Sequence, residues 1–189
     1  MQKKNLLLVI FSLVVFICLS GACYAYQTVL INFPQDKVWV KVYDKIQGKE
    51  RIVQFVPSGQ SYRNWTETFV FHSYRYNNPN TNAYLFLQSR AGRLEQKNNT
   101  RKYTYILRSP ENSIASRCIT SNQNMKAQCD IYRVAVAQEA IISIQYINKD
   151  TSSFKANYDN YLDAVVQANP YYSYFRYDRI MSRGTSFEL

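Results

Sequence analysis

Trp65-Thr66-Glu67-Thr68-Phe69-Val70-Phe71-His72-Ser73-Tyr74 is the stretch on which the fold turns. Successive side chains of an extended chain point to opposite faces. Trp65, Glu67, Phe69, Phe71 and Ser73 therefore share one face, and Thr66, Thr68, Val70, His72 and Tyr74 share the other. Aromatic and β-branched residues fill both rows, which suits a pleated sheet. Just beyond, Asn78-Pro79-Asn80-Thr81 supplies a turn with helix-starting residues, and the period changes. Ala83, Leu87, Ala91 and Leu94 recur at three-to-four spacing, with Phe86 and Arg90 nearby, which predicts a helix ending near Lys97-Asn98-Asn99.

Upstream of this stretch, Thr28 to Phe33 and Lys37 to Tyr43 alternate apolar with polar residues. Val38, Val40 and Val42 point one way, and Trp39, Lys41 and Tyr43 the other. Gln47-Gly48-Lys49 reads as a turn, and Arg51 to Val56 as a further strand broken by Pro57-Ser58-Gly59. Downstream, Tyr103 to Leu107, Ser113 to Thr120, Cys129 to Gln138 and Ala140 to Ile147 are β-prone, the last two as a hairpin. A second helix is read from Phe154, Tyr158, Tyr161, Leu162, Val165 and Val166, with Ser152 or Ser153 as its cap. Strands, helix, strands, helix is the order of an α+β domain. The expectation is a mostly antiparallel sheet of about six to eight strands with two helices packed on one face.

The first residues carry Lys3 and Lys4, an apolar run spans Leu6 to Leu19, and the small residues Ser20, Gly21 and Ala22 come next. That is the grammar of a signal peptide over residues 1–25. A bilayer-spanning helix needs about 20 apolar residues, so the mature chain is not expected to span a membrane. Two processing readings stand side by side. Cleavage after Ala25 frees a soluble chain, whereas reading Ser20-Gly21-Ala22-Cys23 as a lipobox makes Cys23 an acylated first residue. No Gly- or Pro-rich linker interrupts the mature chain. Residues 26–169 are expected to form one domain, and residues 170–189 a C-terminal tail.

Of the four cysteines, Cys118 and Cys129 lie in the mature domain. An even pair in an oxidising compartment reads as a disulfide stapling the base of a polar hairpin loop. The tail after Pro170 is aromatic and basic at once: Tyr171, Tyr172, Tyr174, Phe175, Arg176, Tyr177 and Arg179. One reading packs it back on the sheet with its hydroxyls in water. The other makes it a docking strip, since Tyr and Arg are favoured interface anchors. A formal charge of +10, which includes Lys3 and Lys4, favours an anionic surface as partner. The basic residues are spread without a dense patch, and export argues against nucleic acid.

Chemistry-bearing patterns are sparse. The single histidine, His72, has strand neighbours Val70 and Tyr74 that offer no second ligand, so no metal is expected. There is no Gly-x-Ser-x-Gly elbow or phosphate-cradling loop, and the 13 acids show no clustered pair. The reading is therefore of a non-enzymatic protein without cofactor, with an envelope-polymer hydrolase as the remaining enzymatic alternative.

Gln54-Phe55-Val56-Pro57-Ser58-Gly59-Gln60 followed by Asn64-Trp65-Thr66-Glu67-Thr68 resembles a loose group of small exported bacterial proteins that share a VPxGQ segment and then NWTE. The later Cys129-Asp130-Ile131-Tyr132-Arg133-Val134 is similar to a second segment of that group. The Asn-, Lys- and Tyr-rich composition is similar to proteins of Legionella-like gammaproteobacteria. Exported proteins of this kind there include accessory subunits of the outer-membrane core of the type IVB (Dot/Icm) secretion machine. The resemblance implies export, an α+β fold and an envelope-protein partner in the periplasm or at the periplasmic face of the outer membrane, and it hands over no catalytic residue. A freely secreted binder is the alternative. On the residues themselves, Pro57, Gly59 and Asn64 shape a connection, Trp65 anchors a strand, and Thr66 is an ordinary strand residue. Glu67 is expected either to be held by an arginine or to face solvent.

Overall fold

A computed structural model describes residues 26–75, 81–98, 103–121, 126–137, 140–173, 180–181 and 184–189. The larger of two sheets is built from β2 (Trp39–Gln47), β3 (Glu50–Pro57), β4 (Glu67–Arg75), β5 (Thr104–Arg108), β6 (Asn112–Ile119), β7 (Gln128–Val136) and β8 (Ala140–Asn148). Its seven strands run in the order β2-β3-β4-β8-β7-β6-β5, each antiparallel to its neighbour. The class is α+β, as the alternation implied.

Local chemistry sets the turns. Gln47 pairs with Glu50 across Gly48-Lys49, and Gly48 takes a φ of 60°, the left-handed conformation that such a two-residue hairpin needs and glycine supplies without steric cost. After β3, the amide of Gln60 donates to the carbonyl of Pro57 at 3.0 Å, with Gly59 at φ 85°. That is the signature of a type II turn. In β2 the alternation continues to Lys41 and then shifts register at a bulge before Tyr43. Val38, at 70% exposure, lies outward, while Trp39 packs on the core. The β7–β8 hairpin forms as expected.

The helices are α1 (Ala83–Asn98), α2 (Thr151–Ala156) and α3 (Tyr158–Gln167). Asn82 Oδ1 accepts the Leu85 amide at the start of α1. Asp150 caps α2, its Oδ1 accepting the amides of Ser152 and Ser153 at 3.0 Å each. The expected cap at Ser152 or Ser153 is thus corrected: both serines already donate their amides from inside the first turn. Asn157 interrupts the second helical stretch and separates α2 from α3.

The expectation that both helices share one face is also corrected. On one face, Phe55, Phe69, Phe71, Ile131, Ile144 and Tyr146 pack against Phe154, Tyr161 and Val165 of α2 and α3. On the opposite face, Ala115, Tyr132, Val134 and Ile141 pack against Ala83, Leu87 and Ala91 of α1. The physical reason lies in the central strands. β7 and β8 are buried along most of their length, on odd and even positions alike. A strand apolar on both sides requires cover on both sides.

A smaller sheet lies on the α2–α3 side. Its order is β10 (Ile180–Met181), β11 (Gly184–Glu188), β1 (Tyr26–Ile31) and β9 (Asn169–Ser173), all antiparallel. Val29 and Ile31 of β1 are fully buried in the same core as Phe69 and Tyr161. Two pieces of the segment read as a tail therefore hydrogen-bond along β1, one on each side.

Candidate functional site

Glu67 opens β4 on the inner face with Phe69 and Phe71, where only 6% of it is exposed. A carboxylate taken that far from water must be paired and hydrogen-bonded. Lys37 Nζ, from the loop before β2, forms an ion pair with its Oε1. Its Oε2 accepts the hydroxyls of Tyr146 on β8, at 2.8 Å, and of Tyr161 on α3, at 3.1 Å. Lys37 also donates to the Tyr161 hydroxyl at 3.0 Å. The two tyrosine rings stack with centroids 4.0 Å apart. The arginine partner expected for Glu67 is corrected to a lysine. The other alternative, exposure to solvent, is corrected too, because the residue lies beneath α3.

The network continues. Asn148 Nδ2 donates to the Tyr146 hydroxyl at 3.0 Å, and its Oδ1 accepts the amide of Asp150, the cap of α2. One carboxylate thereby ties the entry of β4 to the loop before β2, to α3, to the end of β8 and to the start of α2. The electrostatics reflect this arrangement. Burial opposes the charged ammonium of Lys37, but the hydrogen bonds to Glu67 and Tyr161, helped by the charge of Glu67, outweigh it and raise the pKa above the usual lysine value. Burial first, then the bond with Tyr161 and the negative charge of Glu67, push the Tyr146 phenol well above its ordinary value. Both oxygens of Glu67 are engaged, so its role in this geometry is to position four elements.

The rest of the VPxGQ and NWTE stretch builds the β3–β4 connection. The Gln60 side-chain amide grips Thr66 twice, its Oε1 accepting the Thr66 amide at 2.8 Å and its Nε2 donating to the hydroxyl at 2.9 Å. Asn64 and Ser61 exchange backbone hydrogen bonds of 3.0 and 3.2 Å. Lys149 Nζ lies 3.6 Å from the Trp65 ring centroid and donates to the Trp65 carbonyl at 2.7 Å. Pro57 closes β3, and Gly59 turns the chain with its positive φ.

Beside the network, a cleft of about 400 Å³ runs between residues 32–36 and α3, meeting Glu67's partners at Tyr161. Asp36, Asn160, Asp163 and Gln167 line it with Phe33. Amide and carboxylate groups beside an aromatic ring offer hydrogen bonds to a polar ligand. Among the described residues, no group of three or more His, Cys, Asp or Glu side chains is placed to hold a metal ion.

Cys118 and Cys129 form the disulfide that their pairing in the sequence implied. They are register partners near the ends of β6 and β7, so the bond staples the base of the hairpin. His72 shares a hydrogen bond with Glu50 at 3.2 Å and another, through Nδ1, with the Tyr74 hydroxyl. Burial lowers the His72 pKa, against the opposing charge of Glu50. Tyr171 and Tyr172 contribute backbone to β9. Tyr174, Phe175, Arg176, Tyr177 and Arg179 lie outside the described residues, as do Cys23 and all of residues 1–25. No helix among the described residues is long and apolar enough to cross a membrane.

Neither a family model nor a curated protein matches the chain. Lys37, Tyr146 and Tyr161 were not legible as partners of Glu67. The available signal was that Glu67 shares a face with Phe69 and Phe71, and that a tyrosine on an apolar helix face needs a hydrogen-bond partner.

Proposed function

We propose that the protein is an exported, non-enzymatic binding domain of the bacterial envelope, which holds another envelope protein as an accessory part of a secretion assembly. The observation that carries this reading is the Cys118–Cys129 disulfide between register partners. Such a bond persists where the surroundings are oxidising, which agrees with the signal-peptide grammar of residues 1–25. The binding half draws on the end strand β5. Ile106 and Leu107 are 45% and 39% exposed there, beside Arg108 stacked over the rings of Tyr84 and Tyr105. A sheet edge with apolar and aromatic side chains is a ready site for a partner.

The test is recovery of the tagged full-length protein from membranes and from culture medium in mild detergent, with mass spectrometry of what accompanies it. A defined set of envelope proteins, lost on Ile106→Asp or Leu107→Asp, is the expected result. Recovery alone and chiefly from the medium would overturn it and move the search to extracellular targets.

A further inference from the structure

Beneath α1, on the sheet face opposite Glu67, lies a second cavity of about 260 Å³. At roughly 30 Å³ per water in the liquid, it has room for a small polar group and its hydration. β4, β8 and β7 form its floor, where Tyr132 and Ser143 are nearly fully buried and their hydroxyls are hydrogen-bonded to one another. Arg90 and Arg93, one turn apart on α1, form its roof.

Arg90 is the informative residue. Its guanidinium stacks over Tyr74, at 4.7 Å, and Phe86, at 5.4 Å. Its Nε is buried with no hydrogen-bond partner. Other inward-facing arginines of this protein are provided for. Arg117 holds Asp130 at 3.3 Å, and Arg133 donates to the carbonyls of Val165 and Val166 and to Asn112. A buried guanidinium N–H left without an acceptor is costly, and such groups are rare in folded proteins.

The charges around the cavity point the same way. None of the described residues lining it is acidic. Nearby carboxylates are already engaged: Glu50 with His72, Glu95 with the Tyr103 amide, and Asp130 with Arg117, Tyr103 and Gln145. Arg93, the more exposed of the two, donates its Nε to the Ser89 carbonyl at 3.3 Å and keeps its other guanidinium N–H groups, so two guanidinium groups without a carboxylate in the lining match the charged donors that an oxyanion needs.

We propose that this cavity binds a compact oxyanion, a single carboxylate or phosphate group, with Arg90 and Arg93 as its charged ligands. The ligand completes the hydrogen bonding of Arg90. The site is independent of the β5 edge and of any partner bound there.

The test titrates inorganic phosphate, and separately acetate, into the purified protein at constant ionic strength, following thermal unfolding. At least one of the two is expected to raise Tm saturably, an effect lost in both Arg90→Gln and Arg93→Gln. Arg63→Gln removes an exposed arginine of the β3–β4 connection, outside both the cavity and the β5 edge, and is expected to keep the effect. Should Arg90→Gln fold poorly, Arg90→Lys preserves the charge but not the planar fork, and is expected to bind at least roughly tenfold more weakly. A rise that is linear in anion concentration, no rise with either anion, or equal saturable rises in wild type and the Arg90 variants would each overturn the proposal.

Discussion

Among the described residues, each face of the large sheet buries one carboxylate, and the two faces do it differently. Glu67 meets a lysine whose side chain is 27% exposed, so that its positive partner still reaches water. Asp130 meets Arg117, and their side chains are 1% and 3% exposed. Around Glu67 two tyrosine hydroxyls and Asn148 extend the network to a helix cap. Around Asp130, Tyr103 donates at 2.7 Å and Gln145 at 3.0 Å, and Arg117 lies over the Tyr103 ring. Burial raises the Asp130 pKa, and the charge of Arg117 only partly opposes that. One face thus anchors a charge at its rim, and the other seals one inside.

The strongest way to break the comparison is to remove the sealed charge. Asp130→Leu is expected to cost about 3–5 kcal/mol in urea denaturation, because Arg117 loses its buried carboxylate. Glu67→Leu is expected to cost less, about 2–3 kcal/mol, since Lys37 can turn to water. Equal costs would mean that solvent access to the cation is irrelevant. Replacing both Cys118 and Cys129 with Ser removes the cross-strand bond next to Asp130 and is expected to cost about 2–3 kcal/mol, read by the same method.

The pH dependence sharpens the contrast. For Asp130 the folded pKa exceeds the unfolded one, so the folded state holds the proton more tightly. Its contribution to stability therefore grows as pH falls through the raised folded value towards the ordinary 3.8, and it is unfavourable above that window. Asp130→Asn should remove this component from a stability–pH curve and leave the alkaline limb intact. Lys37 has the same sign in a different window. Its stabilisation is complete below the ordinary 10.5 and is lost as pH rises through the raised folded value. Lys37→Met should therefore flatten the alkaline limb and not the acid one. The smallest effect belongs to the rim of the Glu67 face. Lys149→Ala, which removes the cation from the Trp65 ring, is expected to cost about 0.5–1 kcal/mol in the same denaturation assay.

Much of the fold was legible because its code is local. The alternation from Trp65 to Tyr74 gave β4 and the sharing of Glu67, Phe69 and Phe71 on one face. The spacing of Ala83, Leu87 and Ala91 gave the buried stripe of α1. What escaped was relational. Ile141-Ile142-Ser143-Ile144 is apolar on both sides, which is a request for two layers, yet nothing in either helix's periodicity says which face it will cover. β1 was readable as a strand, but its pairing with β9 and β11 is a contact between the two ends of the domain. The Glu67 network joins residues 30, 79 and 94 positions apart, a separation over which no spacing rule operates. Arg90 was legible only as a helix neighbour, because its missing acceptor is a property of the packed interior.

The rungs Arg117–Asp130 and Cys118–Cys129 are consecutive in the β6–β7 ladder and project to opposite sides. Where the hairpin closes before its thiols are oxidised, a slip of one residue would turn every side chain of one strand over. The misplaced Asp130 would then lack its arginine, and the two thiols would point apart. The ionic and the covalent rung therefore demand one and the same alignment: the register that gives Asp130 its arginine is also the register that brings the two thiols together.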